Sequence, residues 1–419
     1  MAARCFDQDP ISFAEYIRSL GFNIRACVGL EHERLTGIRT VEDFAGRGAV
    51  LDTYTAWLAA MFDVLELLKR IFGELYIPQS VMDDLAVLKG FDTFDDHDTM
   101  LLSFRDGQFF RDELTAEQFA TRQTIITERL TKIADACTVL PTAVPNERNP
   151  IAEVFIANCG AHVMDHAALA TKGHLLLSED LHYRQIAAAA WSVRGAWLQA
   201  VFQYAHGAGL IKDADYRDLV TRLAIIKHGH LAVTSPLLVD LFNSSDDQLR
   251  EFDAVADFIG TQDAQVLSHC NVVVEFLNSV DALYVDGARF QTAVETLLDK
   301  LIRYQPSNGF LSLAYVASCL YPNKREALRR WMVKRGLSTT LLWKAMAELN
   351  ARMFRVIIAR ITHDPESVVQ MVRRHRARRS YRRLPMWTSP PSIARSDPRR
   401  EIPSHKGNRR KSRSRGRQK

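Results

Sequence analysis

Asp52, the Asp83-Asp84 pair, Asp165 and the Glu179-Asp180 pair are the side chains whose placement best suits chemistry. Asp52 closes the apolar run AVLD, the aspartate pair follows the run ELYIP, and Glu179-Asp180 directly follows HLLLS. If these runs are strands of one parallel sheet, their carboxyl ends bring the acids to a single edge, where open α/β sheets bind ligands. Carboxylates gathered at one pole repel each other unless a cation neutralises them. Hard oxygen ligands suit Mg²⁺ or Mn²⁺, which keep several waters and accept phosphate oxygens as remaining ligands. A cation held this way can activate water for in-line attack on a phosphodiester, in the fuller version with two metals ~3.5–4 Å apart.

Helical geometry separates the aspartate pair. At about 100° per residue, Val81, Leu85 and Leu88 share one face, Asp84 borders it and Asp83 points away. Asp84 is therefore the inward candidate, and Asp83 a partner for the helix N-terminal dipole. Asp165 is the only acid between Val154 and Ser178, in line with Val154, Ala161 and Ala168 on an apolar helix. A carboxylate in a buried row needs a partner or a metal. The plainer readings are helix capping by each of these acids, and a single ion pair with an arginine for Asp165. Convergence of several acids on one sheet edge is what favours the metal.

The elements that must position these residues follow from apolar periodicity and turn signals. Asp9-Pro10 and Ser12-x-x-Glu15 read as a helix start, with a stop near Gly21. Leu58, Met61, Phe62, Leu65, Leu68 and Phe72 recur at helical spacing and predict one amphipathic helix ended by Gly73. Ser80 is placed to cap a helix running to about Lys89. This β-α-β-α order demands parallel strands joined by a right-handed crossover. Residues 90–150 read as inserted helices, Thr115–Ala136 among them. Ile151–Thr171 reads as one buried helix, apolar nearly all round. Helices are expected through Tyr183–Ala190, Trp197–Tyr204 and Ala214–Ile226, and a further strand at HLAVT (His230–Thr234). Beyond Ser245 every periodic segment is helical, as in Ala288–Arg303 and Thr339–Ile361.

The formal charge of +5 conceals two opposite parts. Met371–Lys419 holds 18 basic residues against two acidic ones, a balance of +16, and residues 1–370 carry −11. Five prolines and few large apolar residues leave that tail unable to bury a core, so it is expected to be disordered. Its arginines, with Arg373, Arg374, Arg378, Arg379, Arg382, Arg383, Arg409 and Arg410 in the clusters, suit a polyanion, RNA first and DNA as the alternative. A solubilising arm is the plainer reading. No run reaches the ~18 apolar residues of a membrane helix, and MAARCFDQDP lacks an apolar signal core. Six separated cysteines without a CxxC argue against a disulfide framework or zinc ribbon. A soluble, cytoplasmic protein without membrane association is the expectation.

Other motifs carry less. His162-x-x-x-His166 has metal spacing but lacks the glutamate of a zinc peptidase, so satisfied or exposed histidines are the better reading. Lys227-His-Gly-His230 reads as a turn into a strand. Glu326–Asn350, with Gly336 between two helical runs, has helix-turn-helix spacing without a basic recognition face. No P-loop, GxSxG elbow or GxGxxG is present, which argues against nucleotide hydrolysis, serine hydrolysis and dinucleotide binding.

AVLDTYTAWLAA, YIPQSVMDDL and GHLLLSEDLHYRQIA, in that order, resemble the PIN-domain nuclease family. WLQAVFQYAHGAGLIKDADY continues the likeness to its longer bacterial members, over about residues 47–240. The resemblance implies a three-layer α/β/α fold around a parallel sheet, and an Mg²⁺- or Mn²⁺-dependent ribonuclease with an acidic catalytic cluster. Asp52 matches the first acid of the pattern, Asp84 the second and Asp180 the acid after the third-strand serine; Glu179, adjacent to Asp180, is expected at the metal site just outside the direct ligands. The second position is usually Glu, and the acid of the preceding helix normally falls about a turn earlier, at His162, leaving Asp165 as its replacement. Some members are degenerate and serve as nucleic-acid-binding or interaction modules, which is the alternative function. The implied organisation is an N-terminal helical segment (1–46), the PIN-like domain (47–244), an all-helical domain (245–368) suited to a protein partner or homo-oligomer, and the basic tail (369–419).

Overall fold

The computed structural model describes residues 9–19, 24–90, 99–105, 108–143, 149–245, 248–261, 265–280, 287–304, 309–338, 340–349 and 351. Residues 1–350 form one compact unit and 351–419 a second, of which only Ala351 is described. The tail arginines Arg373, Arg374, Arg378, Arg379, Arg382, Arg383, Arg409 and Arg410 lie outside the described residues, as does the helix expected to run on to Ile361.

The strands are β1 (Ala49–Leu51), β2 (Leu75–Pro78), β3 (Thr99–Arg105), β4 (Gln108–Leu114), β5 (Thr138–Leu140), β6 (Leu175–Leu177) and β7 (Gly195–Ala196). Five of them form one parallel sheet in the order β5-β2-β1-β6-β7. Ala49 pairs with Leu75 on one side and Leu175 on the other, and Leu51 with Leu177. The three strands expected from AVLD, ELYIP and HLLLS are therefore adjacent. The strand order reverses direction between β1 and β6, the place where doubly wound sheets open a crevice.

Alternation along each strand sorts the side chains into two cores. Ala49, Leu51, Leu75, Ile77, Leu175 and Leu177 face one, packed by helices Thr53–Met61, Leu65–Phe72, Gln79–Gly90 and Leu198–Gly207. Val50 and Leu176 face the other, with Met164, Ala167, Tyr183 and Ala187. Both faces are covered, which is why the strands are uninterrupted apolar runs, and the architecture is three-layer α/β/α. The first core continues without a break past residue 245 into the helical region, through Phe242, Phe252 and Phe276 to Trp331. Gly336, at φ +64°, turns the chain between helix Arg325–Lys334 and the helix over 340–349.

Several expectations are corrected. The amphipathic stretch 58–72 is two helices, Thr53–Met61 and Leu65–Phe72, separated where Asp63 takes φ +60°. Residues 90–150 contain an antiparallel hairpin, β3–β4, as well as the helix Ala116–Ala136 with its Thr115 capping box. The expected helix over 151–171 breaks at Gly160, at φ +83°, into Pro150–Cys159, a 3-10 turn Ala161–Met164 and the helix Asp165–Ala170. Its first part lies on the surface, with Val154 60% exposed, so Asp165 shares no buried row with Val154. HLAVT forms no strand; only an isolated bridge pairs Arg25 with Gly229. Ser80 lies inside the helix Gln79–Gly90 instead of capping it. Cys27, Cys137, Cys270 and Cys319 are free, and Cys159 is disulfide-bonded. Among the described residues, no helix is long and apolar enough to cross a membrane.

Candidate acidic site

Asp52 leaves β1 and becomes the N-cap of helix Thr53–Met61, its Oδ1 accepting from Thr55 N at 2.7 Å. Asp180 does the same after β6, capping Leu181–Trp191 and accepting from Tyr183 N at 3.0 Å. The capping reading of these two acids is thus correct, and it places both beside helix N-termini, where backbone N–H groups favour negative charge. Asp84 is 4% exposed, and Thr53, the neighbour of Asp52, donates its hydroxyl to Asp84 Oδ2 at 2.7 Å. Asp83 is on the outer side, accepting from Gln79 Nε2 at 3.0 Å, as the helical wheel predicts.

The strand ends are sewn together by hydroxyls. Ser178 bonds its side chain to Asp52, and its Oγ accepts from Asp180 N at 3.2 Å. Thr55 Oγ1 accepts from Glu179 N at 3.1 Å while its backbone N–H holds Asp52. Burial pushes the Asp52 carboxyl above its ordinary range, and the bonds from Ser178 and Thr55 oppose that shift only in part. Burial also pushes the Tyr183 phenol up. The charges of Asp52, Asp165 and Asp180 add to that shift. Tyr183 itself accepts from Ala167 N at 3.2 Å, on the short helix that Asp165 opens. Asp165 is half-buried and His162 exposed.

Glu179 stands behind the edge formed by the other acids. It is 0% exposed, Oε1 accepts from Leu198 N at 2.6 Å, and Oε2 lies 2.5 Å from His228 Nε2. Its carboxylate is turned into the interior and engaged by protein groups, so it supports the site from behind. The sequence marks His228 only as part of a turn, because its partner is remote in the chain and no local signal points to it.

Among the described residues, no three Asp, Glu, His or Cys side chains close into a metal cage. What the residues offer is an open edge of carboxylate oxygens fixed by caps and hydroxyls. That donor set suits a hard cation held by one or two carboxylates, with water and substrate phosphate completing its shell.

Residues 50–189 match a family described as the PIN domain associated with the TPR-GreAB-C-PIN system. No curated protein and no solved structure matches the chain.

Proposed function

With a PIN domain at residues 50–189 as the premise, we propose that the chain is a metal-dependent nuclease that hydrolyses RNA phosphodiester bonds. The supporting observation is that Asp52 and Asp180 directly follow the adjacent strands β1 and β6, Ser178 bonding the Asp52 side chain and the Asp180 N–H, while Asp84, in the helix after β2, accepts from Thr53 beside Asp52. Asp52, Asp84 and Asp180, with Asp165 alongside, would hold Mg²⁺ or Mn²⁺. When bound, the ion supplies a Lewis acid for the phosphoryl group and lowers the pKa of water for attack.

The chain's own residues do the rest. Ser178 and Thr55 fix the orientation of Asp52, and Thr53 that of Asp84. The N-termini of helices Thr53–Met61 and Leu181–Trp191 point N–H groups at the same edge, favouring an approaching phosphate. The arginines of the tail, +16 over residues 371–419, would raise the local RNA concentration and screen the acidic body.

A second reading, a catalytically silent fold acting as a binding module, is favoured by the open spacing of the acids and by His162 standing where the family pattern has an acid. Cleavage of a mixed RNA pool with Mn²⁺ separates the two. The nuclease predicts cleavage by the wild type and its loss in Asp52→Asn and Asp180→Asn. Equal cleavage by all three proteins, or by none, would refute it.

A further inference from the structure

We infer that His228 is a positioning residue for the acidic site, acting through Glu179, and that residues 24–27 and 227–230 are built into that site although both lie outside the matched stretch. The inference rests on the nuclease reading and adds the device that holds its geometry.

Glu179 stands between Ser178 and Asp180, the two residues that touch or form the acidic edge. A carboxylate with no exposure is costly unless its partners are well placed. The groups facing it come from separate elements: Leu198 N at the start of one helix, His228 Nε2 from the 227–230 turn, and the charge of Arg184. From Glu179 the connection to the acids is short. Its N–H donates to Thr55 Oγ1, and the Thr55 N–H donates to Asp52.

His228 is 2% exposed, and its contact with Glu179 is the close approach of Nε2 to Oε2. Lys227, at φ +52°, is the left-handed residue that ends helix Asp213–Ile225, with His228 N donating to Leu223 O at 3.0 Å, and His230 takes φ +55°. Between them, a Cβ on Gly229 would sit 2.0 Å from the Ile24 carbonyl oxygen, so only glycine fits. Ala26 N donates to Gly229 O at 3.1 Å, and Cys27 Sγ to His230 O at 3.0 Å. On its other side the same N-terminal segment grips the third acid's turn. Leu181 N donates to Arg25 O at 2.8 Å, and the buried Arg184 guanidinium donates to Ala26 O and Ser178 O. Segment 24–27 therefore lies clamped between the Ser178–Arg184 turn and the His228 turn.

The test uses the full chain with His228→Leu, His228→Gln and His228→Asn, each studied below its own melting temperature. Gln can place an amide N–H where Nε2 stood, and Asn is too short to reach Glu179. Mn²⁺ affinity by titration calorimetry, kcat and KM on RNA, and amide exchange at Thr53–Thr55 and Ser178–Leu181 are measured. Leu and Asn should weaken Mn²⁺ binding about 10–100-fold, the usual cost of removing a supporting partner. They should lower kcat more than KM and speed exchange at both segments, and Gln should restore most of each. Wild-type affinity, kcat and exchange in Leu or Asn would overturn the inference, as would a Gln variant no better than Asn. If the wild type neither binds Mn²⁺ nor cleaves RNA, the nuclease reading fails. Exchange at the two segments then still decides whether His228 positions them. Should Leu not fold, the Gln and Asn pair carries the same comparison.

Discussion

Asp52→Asn should stabilise the metal-free protein at neutral pH while abolishing its response to Mn²⁺. The cap survives the change: Asn is as good an N-cap as Asp, and its oxygen can still accept from Thr55 N, 2.7 Å away in the wild type. The lost charge at the helix N-terminus costs about 0.3–1 kcal/mol. Against that stands burial, which holds the Asp52 carboxyl above its ordinary 3.8 despite Ser178 and Thr55. The folded state therefore keeps its proton where the unfolded chain has lost it. Stability falls as pH rises from about 3.8 through the folded value, and the penalty persists at pH 7.5. The gain for Asn is what remains of that burial penalty after the lost dipole interaction is subtracted. It should shrink towards zero at pH 4. At 100 times its dissociation constant, Mn²⁺ should stabilise the wild type by about 2.7 kcal/mol and the variant far less. Urea denaturation in chelator and in Mn²⁺ measures both effects. A variant less stable than the wild type in chelator at pH 7.5, or an equal Mn²⁺ effect on both proteins, would refute the reasoning.

Asp180→Asn and Asp84→Asn should each lower Mn²⁺-dependent RNA cleavage on the order of 100-fold or more, with circular dichroism unchanged. His269, whose Nδ1 accepts from Gly260 N at 2.7 Å, is held down to about 4 by burial, with His230 adding to the effect. It must stay neutral in the fold, so its contribution is present above pH 6.5 and disappears as pH falls towards 4, by about 3 kcal/mol in all. His269→Gln should flatten that part of the stability–pH curve; an unchanged slope would count against the assignment. Deleting residues 371–419 should weaken RNA binding and reduce the salt slope by about 0.7 for each phosphate that the tail neutralises, read from filter binding across a salt series.

The acids are legible because their placement is local. A strand buried on both faces is a continuous apolar run, so Ala49–Leu51, Leu75–Pro78 and Leu175–Leu177 mark themselves, and Asp52 and Asp180 come directly after two of them. Helical phase alone then separates the buried Asp84 from the exposed Asp83. The hairpin escapes a reading by helical periodicity, although Asp106-Gly107, a pair favoured in two-residue hairpin turns, separates the runs that pair Arg105 with Gln108. Gly160 offers a similar hint inside the apolar stretch that it breaks. What holds the acids is another matter. Thr55 and Ser178 look like ordinary small polar residues, and His228 meets Glu179 only because Ile24–Cys27 passes between two turns from distant parts of the chain. No periodicity encodes such a meeting. The distinction matters for the choice between an active nuclease and a silent fold. Carboxylates at strand ends serve as helix caps in either case, and both Asp52 and Asp180 do so here. A buried Glu–His pair behind them is not needed for capping. A carboxylate buried there is costly unless its partners are well placed. That a fold keeps it directly behind Asp52 and Asp180 favours a site whose geometry is used.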